Sequence, residues 1–162
     1  MLITDNPEHA FTYLSGLSQK QGRPLRVFRS CDFPDEQREE KSYEVLEKII
    51  LAMERGDTCA FHGLEGVYQS LYDLLNQNYL QIRGRVYCTI AVKGESYKRV
   101  VHPAFKAVVI LNEDTVYDKR AVDPPFLNRF EKYRFNLLHI FTSPQEAVLK
   151  ELVDWLTEVC AL

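Results

Sequence analysis

Glycine is scarce, with seven residues in 162, and none precedes Gly16; proline is equally sparse, so neither a collagen-like repeat nor a Gly/Pro-rich disordered segment fits. The four cysteines, Cys31, Cys59, Cys88 and Cys160, form no C-x-x-C pair, and no histidine lies three to five residues from another. Tetrahedral zinc therefore has no local template, and the cysteines read as buried, reduced thiols. There is no excess of one charge either. Lys plus Arg (20) nearly balance Asp plus Glu (23), for a net charge of −3, so no basic field attracts phosphate backbones or anionic lipid, and nucleic acid is not an expected partner. No apolar run approaches the roughly 20 residues of a membrane span. The opening MLITDNPEHA carries acids where a secretory leader would be basic, and a cytoplasmic location is expected.

What remains is an ordinary globular composition, 46% hydrophobic and 27% charged, at a length that supports one core and one domain over residues 1–162. The pattern alternates strands with helices. Met1–Thr4 reads as a strand, and Ala10, Phe11 and Leu14 as one face of a helix that stops at Gly22. Leu25–Phe28 is a second strand, followed by loop chemistry at Ser30–Asp35 and a solvated charge run at Glu36–Lys41. From Ser42, the residues Tyr43, Leu46, Ile49, Ile50 and Met53 mark a helix that ends at Gly56. Thr58–Leu64 is a strand covered on both faces, and Val67, Leu71, Leu74 and Leu75 predict one further helix to about Leu80.

Arg85–Val92 alternates strictly, turns at Lys93–Ser96 and returns through Tyr97–Val101, which makes a hairpin insert over about residues 84–102. Phe105–Leu111 is the clearest buried strand, closing at Asn112. Asp123–Pro124 opens a short helix through Lys132, Asn136–Phe141 is the last strand, and Ser143–Glu146 is a capping box. Val148, Leu152, Trp155, Leu156 and Val159 are expected to line the buried side of the final helix. Strands joined by helical crossovers predict an α/β fold with a mostly parallel five-stranded sheet flanked by helices.

The first strand-to-helix turn of such a sheet is where a phosphate-binding loop would sit, since glycines let backbone amides converge on the anion and a lysine neutralises it. Here it reads Asp5-Asn6-Pro7-Glu8-His9, without glycine or lysine, with a proline that cannot donate and two acids that repel phosphate. On the third strand Glu65 is the only acid, suited either to ordering a water molecule or to the first turn of a helix. His62 reads as a hydrogen-bonded residue near the core, with a ligand or base as the alternative. Asn112 suits contact with a γ-phosphate or its attacking water, or equally the capping of its own turn. Helical spacing turns Phe126, Leu127 and Phe130 inward and Arg129 and Lys132 outward. An outward arginine stabilises transition-state charge in a neighbour's site or merely pairs with a carboxylate.

Three strings taken together, VYQSLYDLLNQNY (67–79), VHPAFK (101–106) and PFLNRFEK (125–132), resemble an AAA+ module of the mysterin family of giant RING-type E3 ubiquitin ligases. The resemblance covers nearly the whole chain. It implies a P-loop NTPase-like large subdomain, with Met1–Thr4 as first strand, Thr58–Leu64 as Walker B strand and Val108–Asn112 as sensor-1 strand. It further implies Arg129 at the arginine-finger position, the hairpin as the insert before sensor 1, and a helical lid that is missing. The Walker A Gly-Lys-Ser/Thr is absent and the Walker B pair is reduced to Glu65, as in degenerate modules of such arrays. On this reading no cofactor is expected on the chain itself, ATP and Mg²⁺ belong to neighbouring modules, and adjacent AAA+ modules are the partners. Two other readings stay open: a module that turns over ATP once its lid and neighbours are attached, and a free-standing α/β domain in which Asp5 and Asp32 form an acidic pocket for a divalent cation or small cationic ligand.

Overall fold

The computed structural model describes residues 1–30, 39–117, 124–136 and 140–160. In chain order these form β1 (Leu2–Thr4), α1 (Pro7–Lys20), β2 (Leu25–Arg29), α2 (Glu39–Arg55), β3 (Thr58–His62), α3 (Glu65–Tyr68), α4 (Tyr72–Leu75) and β4 (Leu80–Ile82). They continue with β5 (Arg85–Val92), β6 (Glu95–Val100), β7 (Lys106–Asn112), α5 (Glu113–Tyr117), α6 (Pro124–Leu127), β8 (Tyr133–Arg134) and α7 (Ser143–Cys160). One five-stranded sheet has the order β2-β3-β7-β1-β8, and all its neighbouring strands run parallel. The mostly parallel sheet with flanking helices read from the sequence is the fold observed.

Alternation along the central strands divides the core into two layers. Cys59 and Phe61 of β3 and Val109 and Leu111 of β7 pack with the α2 stripe Leu46, Ile49, Ile50 and Met53. The intervening Ala60 and Ile110 face the other way, onto Ala10 and Phe11 of α1 and onto Phe135. Each strand therefore presents apolar side chains to both sides, which is why β3 and β7 read as unbroken apolar runs.

The insert is a three-stranded antiparallel sheet, β4-β5-β6, rather than a simple hairpin. Both its turns have two central residues at positive φ, Arg83-Gly84 at 50° and 78° and Lys93-Gly94 at 51° and 81°, the geometry that suits the right-handed twist of a tight hairpin. Its inner face buries Cys88 and Ile90 against the main core.

Four expectations need correction. The helix anticipated from Val67 to Leu80 is two short helices, because the Ser70 carbonyl leaves the helical ladder to accept the Ala91 N–H of β5 at 3.2 Å. Its apolar stripe, Val67, Leu71, Leu74 and Leu75, is nevertheless buried throughout. The short helix after Pro124 ends at Leu127, well before Lys132, and Asp123 lies outside the described residues.

Among the described residues the last strand is Tyr133–Arg134, and Asn136, Ile140 and Phe141 of the anticipated strand are not in strand. Tyr133 N–H donates to Met1 O at 3.0 Å and Phe135 N–H to Ile3 O at 2.7 Å, while burial of the Phe135 ring beside Tyr13 fixes that register. Residues 137–139 lie outside the described set. Lastly, the stripe of α7 is exposed: no residue of that helix is buried, and Val148, Leu152, Trp155, Leu156 and Val159 are each about half exposed. Periodicity says which face of a helix would be covered; it does not say that a cover is present.

Candidate functional site

In a parallel sheet of this kind the carboxyl ends of the strands share one edge, and a crevice opens where crossovers leave in opposite directions. That point lies between β1, whose chain goes on to β2, and β7, whose chain goes on to β8. Thr4 and Asn112 stand side by side there as register partners. Thr4 is buried, and its hydroxyl accepts the Asn6 N–H at 3.2 Å. Asn112 ends β7 with a buried Oδ1 that has no hydrogen-bond partner among the described residues.

The turn from β1 into α1 contains only Asp5 and Asn6. Asn6 is the N-cap: its Oδ1 accepts the Glu8 N–H at 3.0 Å, and Pro7 begins the helix. A triphosphate does not fit these residues. The amide pointing out of the helix start is already taken by a side-chain oxygen, the next position has no amide hydrogen, two residues cannot encircle a phosphate, and Asp5 and Glu8 present like charge. Glu8 pairs with Arg29 at 2.6 Å, an exposed contact of little energetic weight.

Glu65 is the exposed first residue of α3. It lines a cleft of about 480 Å³ with Arg29, Val45, Lys48, Gly63 and Gly66, a cleft that includes neither Asn112 nor the β1–α1 turn. The structure thus places Glu65 and Asn112 on one sheet edge without bringing them into one pocket. His62, at the end of β3, donates from Nδ1 to the Ile110 carbonyl at 3.0 Å and meets Phe11 edge-on, so it is a hydrogen-bonded residue near the core.

Arg129 follows α6. Phe126 is buried, stacked on Tyr68 with centroids 4.6 Å apart and packed edge-on against Phe130. The Arg129 guanidinium lies over the Tyr72 ring, 4.1 Å from its centroid, and 6.0 Å from that of Phe126. No carboxylate pairs with it among the described residues. Tyr72 carries no signal of this kind in the sequence, because a ring and a cation from distant elements share no periodicity. Asn6, by contrast, was findable as an Asn-Pro start to a helix.

Among the described residues neither buried cysteine is poised for nucleophilic chemistry. Burial, reinforced by Asp57, pushes the Cys59 thiol up to about 12, and burial, reinforced by Asp73, pushes Cys88 up to about 11. Cys160 is exposed, contrary to the expectation of buried thiols, and Cys31 lies outside the described residues. Alkylation of the native chain followed by peptide mass mapping should label Cys160 at once and leave Cys59 and Cys88 until unfolding. Folding raises both pKa values above the ordinary 9.0, so the unfolded chain ionises first and stability should fall as pH rises from about 9 towards 11 to 12. Denaturant midpoints across that range check the sign.

Among the described residues no group of three or more His, Cys, Asp or Glu could hold a metal ion, and Asp32 of the anticipated acidic pocket lies outside them. No described helix is long and apolar enough to cross a membrane.

The decisive comparison is with a family model for the RNF213 AAA domain, which matches residues 1–141. The chain belongs to the RNF213 AAA domain family. RNF213 is the ligase also called mysterin, so the family resemblance read from the three strings holds. Similar curated proteins are E3 ubiquitin-protein ligase RNF213 of Mus musculus, 29% identical over 138 residues, and that of Homo sapiens, 30% identical over 133 residues. E3 ubiquitin-protein ligase rnf213-beta of Danio rerio is 33% identical over 135 residues. These alignments cover 82–85% of this chain and only 2–3% of the relatives. The RNF213 AAA match stops just before α7, the helix whose apolar stripe is exposed.

Proposed function

We propose that this chain is a non-hydrolysing AAA module of an RNF213-like protein, one that packs beside other AAA modules in the cytoplasm and presents Arg129 to an adjacent nucleotide site. The single observation that carries the reading is the two-residue β1–α1 turn, closed by the Asn6 cap, where a phosphate loop would otherwise stand. ATP and Mg²⁺ belong, on this reading, to the neighbours. Arg129 supports the second half: it follows α6, half-buried against Tyr72 and without a carboxylate partner among the described residues, and the family resemblance is what assigns it the finger role. Ubiquitin transfer, which the relatives' names state for those proteins, is not assigned to this segment, whose four cysteines make no C-x-x-C pair.

A second reading, ATP turnover by this module once a lid and neighbours are attached, is favoured by the unpartnered Oδ1 of Asn112 at the crevice. As an acceptor that atom suits the O–H of a water rather than a phosphate oxygen. Glu65 would then polarise the attacking water.

Titration calorimetry of the chain with Mg-ATP separates the two. No binding is expected at micromolar nucleotide, and a micromolar Kd would overturn the proposal. In the full-length protein, Arg129→Ala is expected to slow ATP turnover by roughly tenfold or more while nucleotide binding is unchanged. Unchanged turnover would remove the finger role.

A further inference from the structure

An arginine that acts in a neighbour's site has to meet two demands that conflict. Its long side chain must be held in one place, yet the N–H groups that hold it must stay available. A carboxylate partner satisfies the first demand and defeats the second, since it accepts those N–H groups and offsets the charge. An aromatic face satisfies both. It attracts the cation through its quadrupole and fixes the guanidinium plane, while the five N–H donors stay free around the rim.

That is the arrangement here. The guanidinium carbon of Arg129 is 4.1 Å from the Tyr72 centroid, with Phe126 as a more distant second ring at 6.0 Å. Tyr72 is itself well anchored, because it opens α4, whose Leu74 and Leu75 are buried, and follows Ser70, which is hydrogen-bonded to Ala91 of the insert. Tyr72 is 49% exposed and Arg129 is half-buried, so the pair reaches solvent.

We infer that Tyr72 is the positioning residue for Arg129, holding its guanidinium at the module surface in the orientation in which it meets anionic oxygens of a neighbouring nucleotide. The inference rests on the proposed finger role and adds to it the element, α4, that sets where the finger lies. Tyr72 touches no reacting atom.

The test compares Arg129→Ala, Tyr72→Ala, Tyr72→Leu and Tyr72→Phe in the full-length protein, with ATP turnover measured as a function of Mg-ATP concentration. Phenylalanine keeps the π face and should stay within about twofold of the parent. Alanine and leucine remove the face, leucine while keeping apolar bulk, and each should lower kcat by about three- to tenfold with KM within about twofold. A loss in Tyr72→Ala that leucine restores, a loss in Tyr72→Phe as large as in Tyr72→Ala, or a rise in KM in place of a fall in kcat would overturn the positioning role. If Arg129→Ala slows turnover and Tyr72→Ala does not, the inference fails and the finger role stands. If Arg129→Ala has no effect, both fail.

Proton NMR of the present chain supplies a readout independent of the array. The Arg129 δ-methylene protons should be shifted upfield by the ring current, a shift kept in Tyr72→Phe and lost in Tyr72→Ala and Tyr72→Leu; its absence from the parent would overturn the geometry itself.

Discussion

Gly56→Ala is expected to destabilise the chain by roughly 2–4 kcal/mol, the cost of a left-handed residue with a side chain plus a steric conflict. Gly56 closes α2 at φ 83°, with its N–H donating to Met53 O at 3.2 Å and the next N–H, from Asp57, to Ala52 O at 3.0 Å. This paired closure needs the left-handed conformation at that residue. A Cβ would also stand 2.2 Å from Nδ1 of His102, and the ring cannot simply swing away because that nitrogen accepts the Ala104 N–H at 3.1 Å. Urea unfolding measures the loss. The double variant Gly56→Ala/His102→Ala should recover the steric part and keep the conformational part. A Gly56→Ala midpoint equal to that of the parent would mean that α2 does not end against the segment leading into β7.

Phe61→Ala should cost about 3–5 kcal/mol, a large share of the 5–15 kcal/mol that holds a typical domain. The ring is fully buried on β3, next to the centre of the sheet, packs against Phe28 with centroids 5.9 Å apart and belongs to the same layer as Ile49, Met53 and Val109. Phe61→Leu, which keeps most of the apolar contact, should lose about 1.5 kcal/mol or less if neighbours repack. Trp155→Ala is the matched control. It removes a larger ring, but one that is 59% exposed on α7, and the unfolding midpoint should hardly move. Equal losses from Phe61 and Trp155 would put α7 inside the cooperative core and contradict the packing described above.

Much of the architecture was legible because burial on both faces of a parallel sheet writes itself into the chain as apolar runs. β1, β2, β3, α1 and β7 fall where those runs and their glycine or asparagine boundaries put them, and α2 begins slightly ahead of its Ser42 start. Failures came where a distant partner overrides the local pattern. A continuous apolar stripe hid the break between α3 and α4, which is caused by a single carbonyl turning to the insert. The apolar residues after Asn136 drew attention away from the edge strand seen among the described residues, whose two residues, Tyr133 and Arg134, are exposed and whose register is set by Phe135 beside them.

The candidate site was legible by what it lacks, since a missing glycine and lysine can be counted. Its remaining geometry was not. That Asn112 lies beside Thr4 and apart from the cleft of Glu65 depends on strand order, and the pairing of Arg129 with Tyr72 depends on how α4 meets the segment after α6. Composition and spacing contain neither fact.

The bare stripe on α7 has a practical bearing on any experiment with this polypeptide. Apolar surface left open on a folded molecule promotes self-association without weakening the fold that carries it. Turbidity on warming would then follow the helix, whereas loss of near-ultraviolet dichroism would follow the sheet. A polar replacement at Leu152 or Leu156 should delay clouding and leave the dichroic transition in place.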